Sequence, residues 1–282
     1  MVDFLKKPFK KLIFTACAVV LCFSGCTVDL LGLFGSNDLS VRFKERNNLK
    51  YIKSKGWESL SLGSNEYSFL IVSDTHIENG DAFGLERIKN VILGDNTIKF
   101  AAFTGDITQC AEKKDFNKFF EIADSLGIPC YPVIGNHDVY FNNWDNWKNL
   151  IGSTCYRIDD DAGWATLLIL DTANGSFGDD QLNWLKKQLK TAKGRVFAFT
   201  HTNFFVDNPT DIQQLTDPRE RAKVCSMLKG RCDTMFTGHL HSRVINDVGG
   251  VHYLCIEDFR VSKAYCVVSV SPNGISYRFG NL

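Results

Sequence analysis

Short apolar runs recur along this chain, and five of them end abruptly in residues able to bind a metal. Ile71-Val72-Ser73 leads into Asp74-Thr75-His76, Ala102-Phe103-Thr104 into Gly105-Asp106, and Pro132-Val133-Ile134 into Gly135-Asn136-His137-Asp138. Phe199-Thr200 leads into His201, and Met235-Phe236-Thr237 into Gly238-His239-Leu240-His241. Continuous runs such as Phe69-Leu70-Ile71-Val72 and Val196-Phe197-Ala198-Phe199 have the composition of strands buried on both faces. Helical patterns separate them. Phe116, Phe119, Phe120, Ala123 and Leu126 share one helical face ahead of Gly127. Asp179 is placed to cap a helix with Leu182, Leu185 and Leu189 facing inward. Asp217-Pro218 opens another, running through Ala222, Cys225 and Leu228 to Gly230. The stretch 253–279, turning at Pro272-Asn273-Gly274, reads as a hairpin. Strands alternating with helices make an α/β sandwich, and in such sheets ligands bind at the carboxyl ends of the strands.

The spacing supports convergence. From Asp74 to Asp106 is 32 residues and from Asp106 to Asn136 is 30, about one strand–helix–strand unit each. In extended chain, residues i and i+2 project to the same side, so Asp74 with His76, and His239 with His241, can each grip one ion. Gly105, Gly135 and Gly238 allow sharp turns beside the ligands. Taken singly, each residue has a bland explanation: Asp74 or Asp106 as a turn residue, Asn136 in a Gly-Asn turn, His201 as a structural histidine. Jointly these explanations fail, because five of the six histidines lie in the five blocks. The sixth, His252, stands outside any block, and a structural role suits it better than substrate contact.

Asp-x-His, Gly-Asp, Gly-Asn-His-Asp, His and Gly-His-x-His, in that order, resemble the calcineurin-like metallophosphoesterase family from about residue 68 onward. Asp179-Asp180-Gln181-Leu182-Asn183-Trp184-Leu185 resembles a helix many members carry between the third and fourth blocks. The resemblance implies a four-layer αββα sandwich, two mixed β-sheets flanked by helices, with the metal site at the strand ends. It implies that Asp74, His76 and His241 bind one metal, Asn136, His201 and His239 a second, and that Asp106 bridges them. His137 is then the acid for the leaving oxygen, and Asp138 orients the site. Two divalent ions about 3.5–4 Å apart share a water and lower its pKa, giving a hydroxide that attacks phosphorus in line. Imidazole and carboxylate ligands suit Mn, Fe, Zn or Ni alike. One block departs from the pattern. Many members carry an acid three residues after the bridging Asp that orients the catalytic histidine; here Gln109 stands there, and a neutral amide cannot raise a histidine's pKa as a carboxylate does. The block also lacks the arginine found in Ser/Thr protein phosphatases, which argues against a phosphoprotein substrate.

The first residues obey a different rule. Lys6, Lys7, Lys10 and Lys11 precede a short apolar run from Leu12 to Phe23, then Ser24-Gly25-Cys26. The run is short for a membrane span and fits an export signal. The ending resembles a bacterial lipoprotein signal, although Phe23 replaces the usual Leu, with an ordinary signal or a buried helix as alternatives. The expected organisation is a signal peptide over 1–25, lipid on Cys26, a tether and N-terminal extension over 26–60, and the phosphoesterase domain over 61–282. The protein is then exported and reaches the membrane through lipid. Removing 1–25 takes four lysines and Asp3 from 32 basic and 32 acidic residues, leaving 28 and 31 and a formal charge of −3. That balance does not suggest a nucleic-acid binder. Seven of the ten cysteines follow Cys26 with no C-x-x-C spacing; core packing suits them better than metal binding, with one or two disulfides left open.

The composite expectation is a dinuclear-metal phosphoesterase with diesters favoured over monoesters. A catalytically silent metal-binding scaffold, or a lipoprotein that binds a ligand without chemistry, are the alternatives.

Overall fold

A computed structural model describes residues 39–205, 215 and 217–282. The expected signal and Cys26 lie outside the described residues. In chain order the strands are β1 (Ser59–Leu60), β2 (Tyr67–Val72), β3 (Ile98–Phe103), β4 (Cys130–Pro132), β5 (Tyr156–Asp160), β6 (Ala165–Ile169), β7 (Arg195–Phe199), β8 (Thr234–Thr237), β9 (Val244–Val248), β10 (Val251–Cys255), β11 (Ala264–Ser271) and β12 (Gly274–Asn281). They form two mixed sheets, ordered β1-β5-β6-β7-β8-β10-β9 and β12-β11-β2-β3-β4. The centres, β2-β3-β4 and β6-β7-β8-β10, are parallel, so within each sheet their carboxyl ends share one edge.

The sheets pack face to face through aromatic rings. Phe69 of β2 meets Phe197 of β7 edge-on at 4.9 Å and Phe236 of β8 at 5.7 Å. Edge-to-face pairs of this kind add to the burial of large apolar side chains. Every residue of β2 and β8 is buried, because helices cover the outer faces. The helices are α1 (Leu39–Lys44), α2 (Lys50–Lys55), α3 (Ile88–Leu93), α4 (Lys113–Ser125), α5 (Trp144–Leu150), α6 (Gly178–Thr191), α7 (Pro218–Leu228) and α8 (Phe259–Ser262). Phe119 of α4 packs on Phe103 at 5.0 Å. On the other sheet, Leu182, Leu185 and Leu189 of α6 join Val224 and Leu228 of α7 over Leu168, Val196 and Ala198. The architecture is the four-layer α/β sandwich.

The details correct some local expectations. Asp179 does not cap α6; it lies inside the first turn, and the preceding Phe177 and Gly178 amides donate to Glu220 of α7 at 2.8 and 2.9 Å. A carboxylate from a neighbouring helix takes the place of a local cap. In α7 the buried residues are Val224 and Leu228, while Ala222 is exposed. The hairpin at the end is β11–β12 alone. Tyr253 belongs to β10 in the other sheet, because α8 intervenes and carries the chain across.

From Leu39 the chain already packs against the domain. Arg42, fully buried, donates through Nε and Nη2 to Asp171 at 2.7 and 2.9 Å. Tyr51 stacks on Phe120 at 4.7 Å. Among the described residues the cysteines form no disulfide; Cys130, Cys155, Cys232, Cys255 and Cys266 are buried, and Cys110 and Cys225 are half-buried. Burial pushes the thiols of Cys110, Cys130, Cys155, Cys225, Cys232 and Cys266 up, away from the reactive thiolate. Among the described residues, no helix is long and apolar enough to cross a membrane.

Candidate metal centre

The loops after β2, β3 and β8 leave their strands in a left-handed backbone conformation. Asp74 (φ 52°), His76 (φ 44°), Asp106 (φ 48°), His239 (φ 74°) and His241 (φ 53°) all adopt it without being glycine. Such residues cost free energy and persist only where surroundings hold them, which is characteristic of functional sites. Here the loops hold each other: Asp74 N donates to Gly105 O at 3.1 Å and His76 N to Asp106 O at 2.9 Å. The extended i, i+2 geometry therefore does not apply. Asp74 and His76 still share one group, but His239 and His241 turn to different ones.

Three overlapping groups result: Asp74, His76 and His241; His76, Asp106 and His137; Asp106, His201 and His239. His76 Nε2 lies 3.2 Å from His241 Nε2, which is 3.3 Å from Asp74 Oδ1. His201 Nε2 lies 3.1 Å from His239 Nδ1 and 3.0 Å from Asn136 Oδ1. Asp106 Oδ2 faces His76, His137 and His201, at 3.8, 3.9 and 3.2 Å. Two nitrogens on one ion, with bonds of about 2.0–2.1 Å, sit roughly 3.0–3.4 Å apart, so these separations fit ligands sharing a metal. Asp106 is common to two of the groups and His76 also to two, so the three are linked through these side chains. Asp74, His76, Asp106, Asn136, His137 and His201 are buried, while the His241 side chain is 43% exposed, so the site opens on that side.

The ring tautomers are partly fixed by main chain. His201 Nδ1 lies 2.9 Å from Thr104 O, and a carbonyl only accepts, so this nitrogen carries the proton and Nε2 turns to the site. Burial pushes the His76 and His239 imidazoles down to about 4, keeping them neutral. Burial also opposes protonation of His201, but the charge and hydrogen bond of Asp106 outweigh it and raise the group to about 9. The hydrogen bond to Asp74 raises His241. Asp74 and Asp106 are pushed up by burial yet end below the ordinary carboxylate range, pulled down chiefly by His241 and His201 respectively.

His137 lies beside the groups, its ring 4.6 Å from that of His76. The sequence raised Gln109 as a neutral replacement for an orienting acid. The structure gives it another part: its main-chain carbonyl stands 2.9 Å from His137 Nδ1, while its side chain turns away to Arg260. Asp138 accepts from the amides of Ile107, Thr108 and Gly135 at 3.2, 2.9 and 3.0 Å, tying two ligand loops together. Burial and the charge of Asp106 push its carboxyl up to about 7. Tyr140, not foreseen, accepts from Asn136 Nδ2 at 2.8 Å and so leaves Asn136 Oδ1 facing His201. Arg260 was also missed; no spacing connects it with the blocks. His252 pairs instead with Asp247 and lies in none of the groups.

The glycines act mainly through space. Only Gly105 of the three takes a positive φ, 95°. A Cβ at Gly135 would run into the Asp106 amide and carboxylate, and one at Gly238 into Ser73 Oγ and Asp74 Oδ2.

Comparison with known proteins agrees. Residues 67–243 match the model of the calcineurin-like phosphoesterases. The chain is 27% identical over 201 residues to a probable glycerophosphodiester phosphodiesterase of Arcobacter nitrofigilis, covering 60% of this chain and 70% of that one. It is 24% identical over 192 residues to a probable cyclic nucleotide phosphodiesterase of Fibrobacter succinogenes, covering 61% and 72%. A dimetal phosphatase from Danio rerio shares the fold, with a TM-score of 0.61 and 13% identity over 76% of this chain and 95% of that one. The chain belongs to the calcineurin-like phosphoesterase family. It is therefore a phosphoesterase with His and Asp groups able to hold metal ions.

Proposed function

We propose that the protein is a dinuclear-metal phosphodiesterase. The observation that carries this is the overlap of the donor groups at Asp106, whose Oδ2 faces three imidazoles between two pairs of closely opposed ring nitrogens. Asp74, His76 and His241 would hold one ion and Asn136, His201 and His239 the other, with Asp106 placed to serve both. The ions, when bound, supply Lewis acidity and activation of water. His137 presents Nε2 toward the groups and, as imidazolium, gives its proton to the departing oxygen. Its Nδ1–H is held by Gln109 O, so the ring keeps one orientation. Asp138 braces the loops bearing Asp106 and Asn136, and Tyr140 accepts from the Asn136 side-chain amide.

The preference for diesters draws on the names of the two relatives, a probable cyclic nucleotide phosphodiesterase and a probable glycerophosphodiester phosphodiesterase. Export and lipid attachment at Cys26 draw on the four lysines, the apolar run and Ser24-Gly25-Cys26. The enzyme reconstituted with Mn is assayed on bis(p-nitrophenyl) phosphate and p-nitrophenyl phosphate. Faster metal-dependent turnover of the diester, lost in His239→Ala, supports the proposal. Faster turnover of the monoester reverses the preference, and no turnover of either with two ions bound favours the silent scaffold.

A further inference from the structure

We propose that Arg260 is a positioning residue for the acid: it clamps Gln109 so that the Gln109 carbonyl fixes the His137 ring. The inference rests on the phosphodiesterase proposal above. Where a carboxylate side chain would orient the histidine, this chain offers a peptide oxygen 2.9 Å from Nδ1. A carbonyl cannot donate, so Nδ1 carries a proton and Nε2 is left to face Asp106. A peptide oxygen, however, points only where its backbone dihedrals send it. The amide side of Gln109 is tied to Ile77 O at 2.9 Å, and the side chain is tied by Arg260 Nη1 to Gln109 Oε1 at 2.7 Å. With both held, the carbonyl keeps its aim.

Arg260 is itself well braced. Its Nη2 donates to Glu78 Oε2 at 2.7 Å, and its guanidinium lies 4.7 Å from the centre of the Phe83 ring. Its own amide donates to Asp74 O at 3.2 Å, and the neighbouring Phe259 amide to Ser73 O at 2.8 Å. Asp258 caps α8 by accepting from Val261 N at 2.7 Å. One residue thus joins the loop carrying the ligand Asp74, through its backbone, to the support of His137, through its fork. The planar fork makes both side-chain bonds at once, which a lysine ammonium on a flexible stem reproduces poorly.

An acid matters most where the leaving oxygen is a poor leaving group, so the role shows in leaving-group dependence. Methyl phenyl phosphate and methyl p-nitrophenyl phosphate share a methyl ester and differ in the acidity of the departing phenol. Arg260→Met is expected to lower kcat on the phenyl ester about tenfold and on the nitrophenyl ester less than about twofold, a fraction of what a general acid contributes. Both ions are retained. Gln109→Ala is expected to give the same split, and the double variant to be no worse than either, since the two side chains act as one unit. Arg260→Lys is expected to recover part of the loss. Ring-nitrogen NMR shifts report independently of turnover: wild type shows His137 protonated at Nδ1, and Arg260→Met shows a mixture of tautomers. Equal losses on both esters, no loss, additive variants or an unchanged tautomer would each overturn the proposal. If the wild type hydrolyses neither ester, the phosphodiesterase proposal fails by itself, and the ring-nitrogen shifts still decide the role of Arg260.

Discussion

Metal uptake should release protons, and His201 sets how many. Asp106 raises this buried imidazole to about 9, so near neutrality it carries a proton on Nε2, the nitrogen that the proposed metal binding would need free. A metal ligand has to be deprotonated, so binding displaces that proton. At pH 7.5 the group lies about 1.5 units below its pKa, which costs about 2 kcal/mol, or roughly 30-fold in apparent affinity. With one proton displaced, affinity rises about tenfold per pH unit, hence about 100-fold between pH 6 and pH 8. His76 and His239, near 4, are neutral throughout this window and release nothing. His241, raised by Asp74, adds release in the same direction at the other group. The assay is isothermal titration of Mn into chelator-treated protein, repeated in two buffers of different protonation enthalpy. About one proton or more per chain is expected at pH 7.5. A heat independent of buffer, with affinity changing less than about threefold from pH 6 to pH 8, would refute the reasoning.

The same raised pKa governs the chelator-treated fold. Its stabilisation by protonated His201 is fully present below the unfolded value near 6.5 and is lost as pH rises through about 9, which melting curves check. Gly135→Ala and Gly238→Ala push a Cβ into Asp106 and Asp74, and each is expected to lower metal affinity by about 10–100-fold, measured by bound metal after dialysis. Arg42→Met leaves the buried Asp171 without its counter-charge, the Ala173 amide remaining on its carboxylate, and denaturant unfolding should show a loss of about 3–5 kcal/mol with the metal site intact. Glu220→Ala removes the acceptor for the Phe177 and Gly178 amides; about 1 kcal/mol of stability is expected to go, with turnover unchanged.

Individual strands were legible because buried parallel strands write themselves as unbroken apolar runs, and β2, β3 and β7 fall on the runs read as strands; their division into two sheets came from the family resemblance. The candidate ligands could be picked out because their types are scarce and their blocks follow strands, and the structure brings Asp74, His76, Asp106, His201, His239 and His241 into donor groups. What escaped was anything decided by contacts remote in sequence. Glu220 caps a helix 42 residues away, and no local pattern announces it. Arg260 reaches Gln109 across 151 residues. The left-handed turns at Asp74, His76, Asp106, His239 and His241 run against local preference, so reasoning from extended chain put His239 and His241 together when they join two different donor groups. Gly135 and Gly238 were singled out correctly, but for a turn when the need is room beside a carboxylate.

The proposed dinuclear centre is tested most directly by counting metal per chain alongside turnover of bis(p-nitrophenyl) phosphate, in wild type and Asp106→Asn. Two ions per wild-type chain are expected, with both the count and the rate falling sharply in the variant, because this one carboxylate faces both groups. Full turnover with a single ion, or turnover that survives chelation, would contradict it.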